Sequence, residues 1–86
     1  MKMSEEQRKE IYEKPLTIGR FLQEIYTEFP KYYFLVTDEG KWFLLRVNYG
    51  KKSQNYIITK RSLRNESVGF KRLKVVKNQI RSDFND

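Results

Sequence analysis

Three runs rich in aromatic and β-branched residues, Tyr32 to Thr37, Lys41 to Tyr49 and Asn55 to Lys60, follow one another with short gaps between them. Residues of these types fit a pleated, half-buried surface. The gaps, Asp38-Glu39-Gly40 and Gly50-Lys51-Lys52-Ser53-Gln54, each contain glycine with Asp or Ser, so the pattern predicts a three-stranded antiparallel meander. Gly40 can take the left-handed conformation that closes a three-residue hairpin. The second gap is longer and carries Lys51 and Lys52 at its tip. Alternation along the middle run puts Phe43, Leu45, Val47 and Tyr49 on one face and Trp42, Leu44, Arg46 and Asn48 on the other. The first set is the expected core face, with Tyr32, Phe34 and Val36 beside it. Tyr33 and Leu35 then join Trp42 and Leu44 on the second face, as an apolar patch that needs a cover. The chain's own C-terminal segment is the preferred cover over a partner, because small domains seldom leave a tryptophan in water.

The flanking segments supply helices. From Leu16 to Phe29, the residues Ile18, Phe21, Leu22, Ile25 and Phe29 recur at helical spacing, Thr17 can cap the start, and Leu16 with Phe21 can form a hydrophobic staple. Pro30 ends that helix. Its opposite face carries Arg20, Gln23, Glu24, Thr27 and Glu28, and the pair Glu24 and Glu28 reads as a solvated helix face. After a loop over Asn65 to Gly69, the residues Phe70, Leu73, Val76, Ile80 and Phe84 are spaced by three, three, four and four, the stripe of an amphipathic helix. The competing reading is a fourth strand through Leu73 to Val76, favoured by two adjacent valines. Ser4 and Gln7 have the form of a capping box, so a short, loosely docked helix is expected from about Glu5 to Glu13, with Lys14-Pro15 interrupting it. The expected fold class is α+β: a helix, a three-stranded antiparallel meander and a basic C-terminal helix. Residues 1–15 form a charged N-terminal segment and residues 16–84 a single domain.

Eighty-six residues without cysteine or histidine exclude several chemistries. Disulfides, thiol nucleophiles and the commonest zinc ligands are absent, as is the commonest general base. The fold must be held by packing alone, and the thirteen aromatic residues are its main stock, each able to bury about 150–250 Å². No apolar run approaches the roughly 20 residues that span a bilayer, and the N-terminus is unlike a secretory signal, so a cytoplasmic protein is expected. Glu39-Gly40-Lys41 has the spacing of one nuclease motif, but it sits on a hairpin tip without a converging carboxylate. No glycine-rich phosphate loop is present. No enzyme activity, cofactor or metal is expected.

The net charge of +7 is unevenly distributed. Residues 1–40 hold six Lys or Arg against eight Asp or Glu, whereas residues 41–86 hold twelve against three. A basic half of this kind usually marks a surface that meets an anion, most often nucleic acid. The candidate phosphate contacts are Lys51, Lys52, Lys60, Arg61, Arg64, Lys71, Arg72, Lys74, Lys77 and Arg81, with the loop, strand end and helix expected to form one basic rim. The candidate stacking or partner patch is Tyr33, Leu35, Trp42, Leu44, Arg46, Tyr49 and Tyr56.

The order helix, three antiparallel strands, helix resembles the double-stranded RNA-binding domain in topology. Where that family has Gly-Pro-x-His after the first strand, this chain has Asp38-Glu39-Gly40-Lys41. Where the family begins its last helix Lys-Lys-x-Ala-Lys, this chain has Phe70-Lys71-Arg72-Leu73-Lys74. A three-stranded ribbon followed by a helix also resembles the DNA-binding modules of some integrases, again in shape without a shared motif. Shape does not fix function, and no residue role carries over.

Two functions fit these features. The first is a small non-enzymatic nucleic-acid-binding protein, regulatory or accessory, that contacts phosphates through its basic C-terminal half. The second is a protein-interaction module, such as a small inhibitor or adaptor of phage or plasmid origin, that docks on an acidic or nucleic-acid-handling partner through the patch around Trp42 and Leu35. A membrane-surface role is set aside, since the apolar stripe of the last helix is needed for the core.

Overall fold

The computed structural model describes residues 14–85. The helix expected over residues 5–13 lies outside the described residues. The remaining elements are α1 (Ile18–Glu28), β1 (Tyr33–Asp38), β2 (Trp42–Tyr49), β3 (Lys52–Thr59), a 3-10 turn (Lys60–Leu63) and α2 (Glu66–Phe84). The fold is α+β, as expected from the sequence, and the valines near the centre of the last segment belong to a helix.

The sheet has the order β1-β2-β3, both pairs antiparallel. In the first hairpin Gly40 takes a φ of 94° while its N–H donates to Asp38 Oδ1 at 2.9 Å, a local bond that tightens the turn. The second hairpin is shorter than expected. Tyr49 pairs directly with Lys52, which leaves Gly50 and Lys51 as a two-residue turn, with Gly50 at a φ of 60°. Lys52 is therefore a strand residue, and only Lys51 stands at the tip.

α1 is capped by Thr17, whose side chain accepts from Arg20 N at 3.1 Å. α2 begins at Glu66, within the expected loop, because the Asn65 side chain accepts from Val68 N at 3.0 Å and starts the helix there. Gly69 lies inside its first turn, where a Cβ would meet Leu16 Cδ2 at 2.7 Å and Leu16 Cβ at 2.8 Å. That close approach is the reason a glycine stands in the helix. The two helices run side by side in the same direction: Leu16 sits beside Gly69 at one end, and Glu28 pairs with Arg81 at the other.

Both helices cover the same face of the sheet. Phe21 and Ile25 of α1, Leu73, Val76, Ile80 and Phe84 of α2, and Leu45, Val47, Tyr56 and Ile58 of the sheet form one buried cluster with Leu16 and Leu63. Phe34 and Phe43 pack at its margin. The alternation of β2 is thus borne out for Phe43, Leu45 and Val47, while Tyr49 is half exposed and leans on the Tyr32 ring, 4.7 Å between centroids. The expectation that the C-terminal segment covers the second face is overturned. The apolar stripe of α2 continues that of α1, and one sheet face can satisfy both stripes at once. The second face is open among the described residues.

Candidate nucleic-acid interface

The fold sorts the ten candidate cations into two groups. Five are held within the molecule. Lys60 reaches Asp38 Oδ1 at 2.9 Å and lies over the Phe43 ring, 5.0 Å from its centroid. Lys52 Nζ donates to the Asp83 carbonyl at 3.3 Å. Arg72 Nη2 donates to the Ile57 carbonyl at 2.8 Å, capping the outer edge of β3 with a side chain from α2. Lys77 and Arg81 both pair with Glu28, and Arg81 also stacks over Phe29. Lys77 and Arg81, with Glu24, Glu28, Leu73, Lys74 and Asn78 among others, line a groove of about 360 Å³ between the helices. Glu24 and Glu28 are therefore more than a solvated face, since Glu24 holds Arg20 at 3.2 Å and Glu28 holds two cations of α2.

The other five, Lys51, Arg61, Arg64, Lys71 and Lys74, are exposed and make no side-chain hydrogen bond or ion pair among the described residues. They do not form one rim. Lys51 stands in the β2–β3 turn, at the far end of the sheet from the 3-10 turn. Arg61 and Arg64 sit in and just after the 3-10 turn, and Lys71 and Lys74 follow on the first turns of α2. Lys41, not singled out in the sequence, joins this end: its carbonyl accepts from Lys60 N at 3.0 Å, and its side chain is exposed. The acidic residues nearest in chain are Glu39 and Glu66.

The candidate patch is also divided. Tyr33, Leu35 and Trp42 are 80 %, 61 % and 39 % exposed, while Leu44 is half-buried among them. Arg46 is exposed on the same face and its Nε donates to Asn55 Oδ1 at 3.4 Å. Ile57, which pairs with Leu44 across the strands and is 51 % exposed, extends the patch. Alternation carried into β3 finds it. Tyr49 lies on the opposite face, and Tyr56 is no stacking residue. Tyr56 pairs with Leu45, is buried in the core, and donates its hydroxyl to Asp83 Oδ2 at 2.7 Å. Burial, followed by the Asp83 carboxylate, pushes its phenol well above the usual range.

No cluster of metal-ligating residues occurs among the described residues, and no helix there is long and apolar enough to cross a membrane. Comparison with protein-family models, with curated proteins and with solved structures finds no match to this chain.

Proposed function

We propose that the protein is a small non-enzymatic nucleic-acid-binding module, regulatory or accessory, that holds the phosphate backbone with the cations at its 3-10 end. The observation that carries this reading is the group Arg61, Arg64, Lys71 and Lys74, exposed and without side-chain partners among the described residues, while Lys60, Lys77 and Arg81 pair with carboxylates and Lys52 and Arg72 donate to backbone carbonyls. Charges that only kept the domain soluble would be interspersed with carboxylates. Two consecutive elements supply this group, and Glu66 is the single carboxylate between Lys60 and Asp83. Phosphate contact through such a group gives affinity without sequence readout.

The test is a salt titration of binding to labelled duplex DNA, single-stranded DNA and duplex RNA, followed by anisotropy. Affinity for at least one form should fall steeply with salt, by about 0.9 in the log–log slope for each duplex phosphate neutralised. Absence of binding to all three at low salt would remove the proposal and turn attention to an acidic protein partner.

A further inference from the structure

Phosphate contacts at the 3-10 end leave the open face of the sheet without a role. The strand register fixes which side chains stand on that face, and none of them is acidic. The described carboxylates all lie elsewhere: between the helices, on the first hairpin, or on α2. Tyr33 lies near one end of the face, almost wholly in water, and Trp42 lies at the other, 39 % exposed. Between them, Leu35, Leu44 and Ile57 form an apolar floor, with Arg46 as the face's only charge. Cations stand beyond both ends, Lys51 in the β2–β3 turn and Lys41 with Arg61 at the opposite side.

Flat rings over an apolar floor, no carboxylate, and cations at both ends are the parts of a stacking platform for bases on an anionic backbone. A duplex keeps the faces of its bases stacked inside, so only unpaired bases can use such rings. We infer that this face takes the unpaired bases of a single-stranded nucleic acid, with Trp42 and Tyr33 as the stacking residues. The inference rests on the proposed phosphate-binding role and narrows its ligand to a single strand. The six paired positions of β1 span about 20 Å at roughly 3.3 Å per residue, room for on the order of four nucleotides.

Trp42 is the only tryptophan in the chain, so its emission, excited selectively over the tyrosines, reports on this face alone. The experiment titrates the protein with a twelve-nucleotide thymidine strand, a uridine strand of the same length and a twelve-base-pair duplex, reading tryptophan emission and the anisotropy of labelled ligand together. Single strands should quench Trp42 and bind more tightly than the duplex. Tyr33→Ala, at a position too exposed to endanger the fold, should weaken single-strand binding by at least about five-fold while leaving the duplex affinity unchanged. Salt-dependent binding with unperturbed Trp42 emission and no effect of Tyr33→Ala would overturn the stacking face and leave the phosphate role standing. Failure to bind any nucleic acid, including the case in which an acidic protein occupies Tyr33 and Trp42 instead, would overturn both. A Trp42 already shielded from acrylamide in the free protein, by another part of the chain or by a second copy seen in sedimentation, would also overturn the inference.

Discussion

Asp38 ends β1 and ties the first hairpin to the turn that follows β3. Lys60 Nζ approaches its carboxylate at 2.9 Å, and Gly40 N donates to it at 2.9 Å. The Lys60 contact first and the Gly40 bond second favour the charged form and hold the carboxyl below its usual value of 3.8. A lowered folded-state pKa means that this contribution to stability is present above the ordinary carboxylate value and is lost as pH falls through the lowered one. Because the pair is exposed, the expected effect on the melting temperature is small, and the sensitive observable is the titration itself. The Asp38 carboxyl carbon should titrate by NMR with a midpoint below 3.8, and Lys60→Ala should move that midpoint upward while Gly40 still donates. A midpoint at or above 3.8 in the unmodified protein would contradict the latch. The same scale shows what sequence reading can place. Leu45 is legible as core from alternation in β2, and the strand register gives Tyr56 the same face. Tyr56 resembles a stacking residue in the sequence because the polar start of β3 leaves its parity unfixed.

The elements are legible where hydrophobic periodicity is strong, and their edges are lost where polar residues carry structure. β3 begins Lys52-Ser53-Gln54-Asn55, four exposed residues with no apolar alternation, yet each pairs with β2. α2 starts seven residues before Leu73, its first large buried residue, because Asn65 caps it and Gly69 meets Leu16, while Phe70, expected in the apolar stripe, is exposed. The two helical glycines therefore behave oppositely. A Cβ on Gly19 meets nothing within 4 Å, so Gly19→Ala should stabilise the protein by roughly 0.5–1 kcal/mol through helix propensity. A Cβ on Gly69 would press on Leu16 Cβ at 2.8 Å, an atom fixed to the backbone that cannot swing aside. The same helix-propensity gain is there outweighed by overpacking of about 1–3 kcal/mol, so Gly69→Ala should destabilise. Urea unfolding resolves the two as midpoint shifts of opposite sign with an unchanged slope. Combining Leu16→Ala with Gly69→Ala should destabilise by less than the sum of the two single effects, since truncation removes Leu16 Cδ2, which the new methyl would meet at 2.7 Å, although Leu16 Cβ remains.

Across the whole molecule, the charge asymmetry of the sequence is partly undone by the fold. The acidic face of α1 lies beside the basic C-terminal half of α2, and Glu28 takes up Lys77 and Arg81. That pairing is not legible in the sequence, since it depends on two helices separated by the whole sheet lying parallel on one of its faces. What survives is a smaller cationic group at the 3-10 end, and the two sets of cations should therefore differ in their effect on binding. Replacing Arg61, Arg64, Lys71 and Lys74 together by Gln should lower the log–log salt slope for duplex DNA by up to about 3–4, at about 0.9 for each phosphate no longer neutralised. Replacing Lys77 and Arg81 by Gln should leave the slope nearly unchanged. The second pair of substitutions instead leaves Glu28 without either partner in the groove between the helices, and its effect belongs in stability. Measured on the same duplex, equal changes in slope for the two sets would mean that the anion lies along the whole length of α2. In that case binding would have to break the Glu28 pairs, and Glu28→Gln, which frees both cations, would tighten it; with phosphate held at the 3-10 end alone, the same substitution leaves affinity nearly where it was.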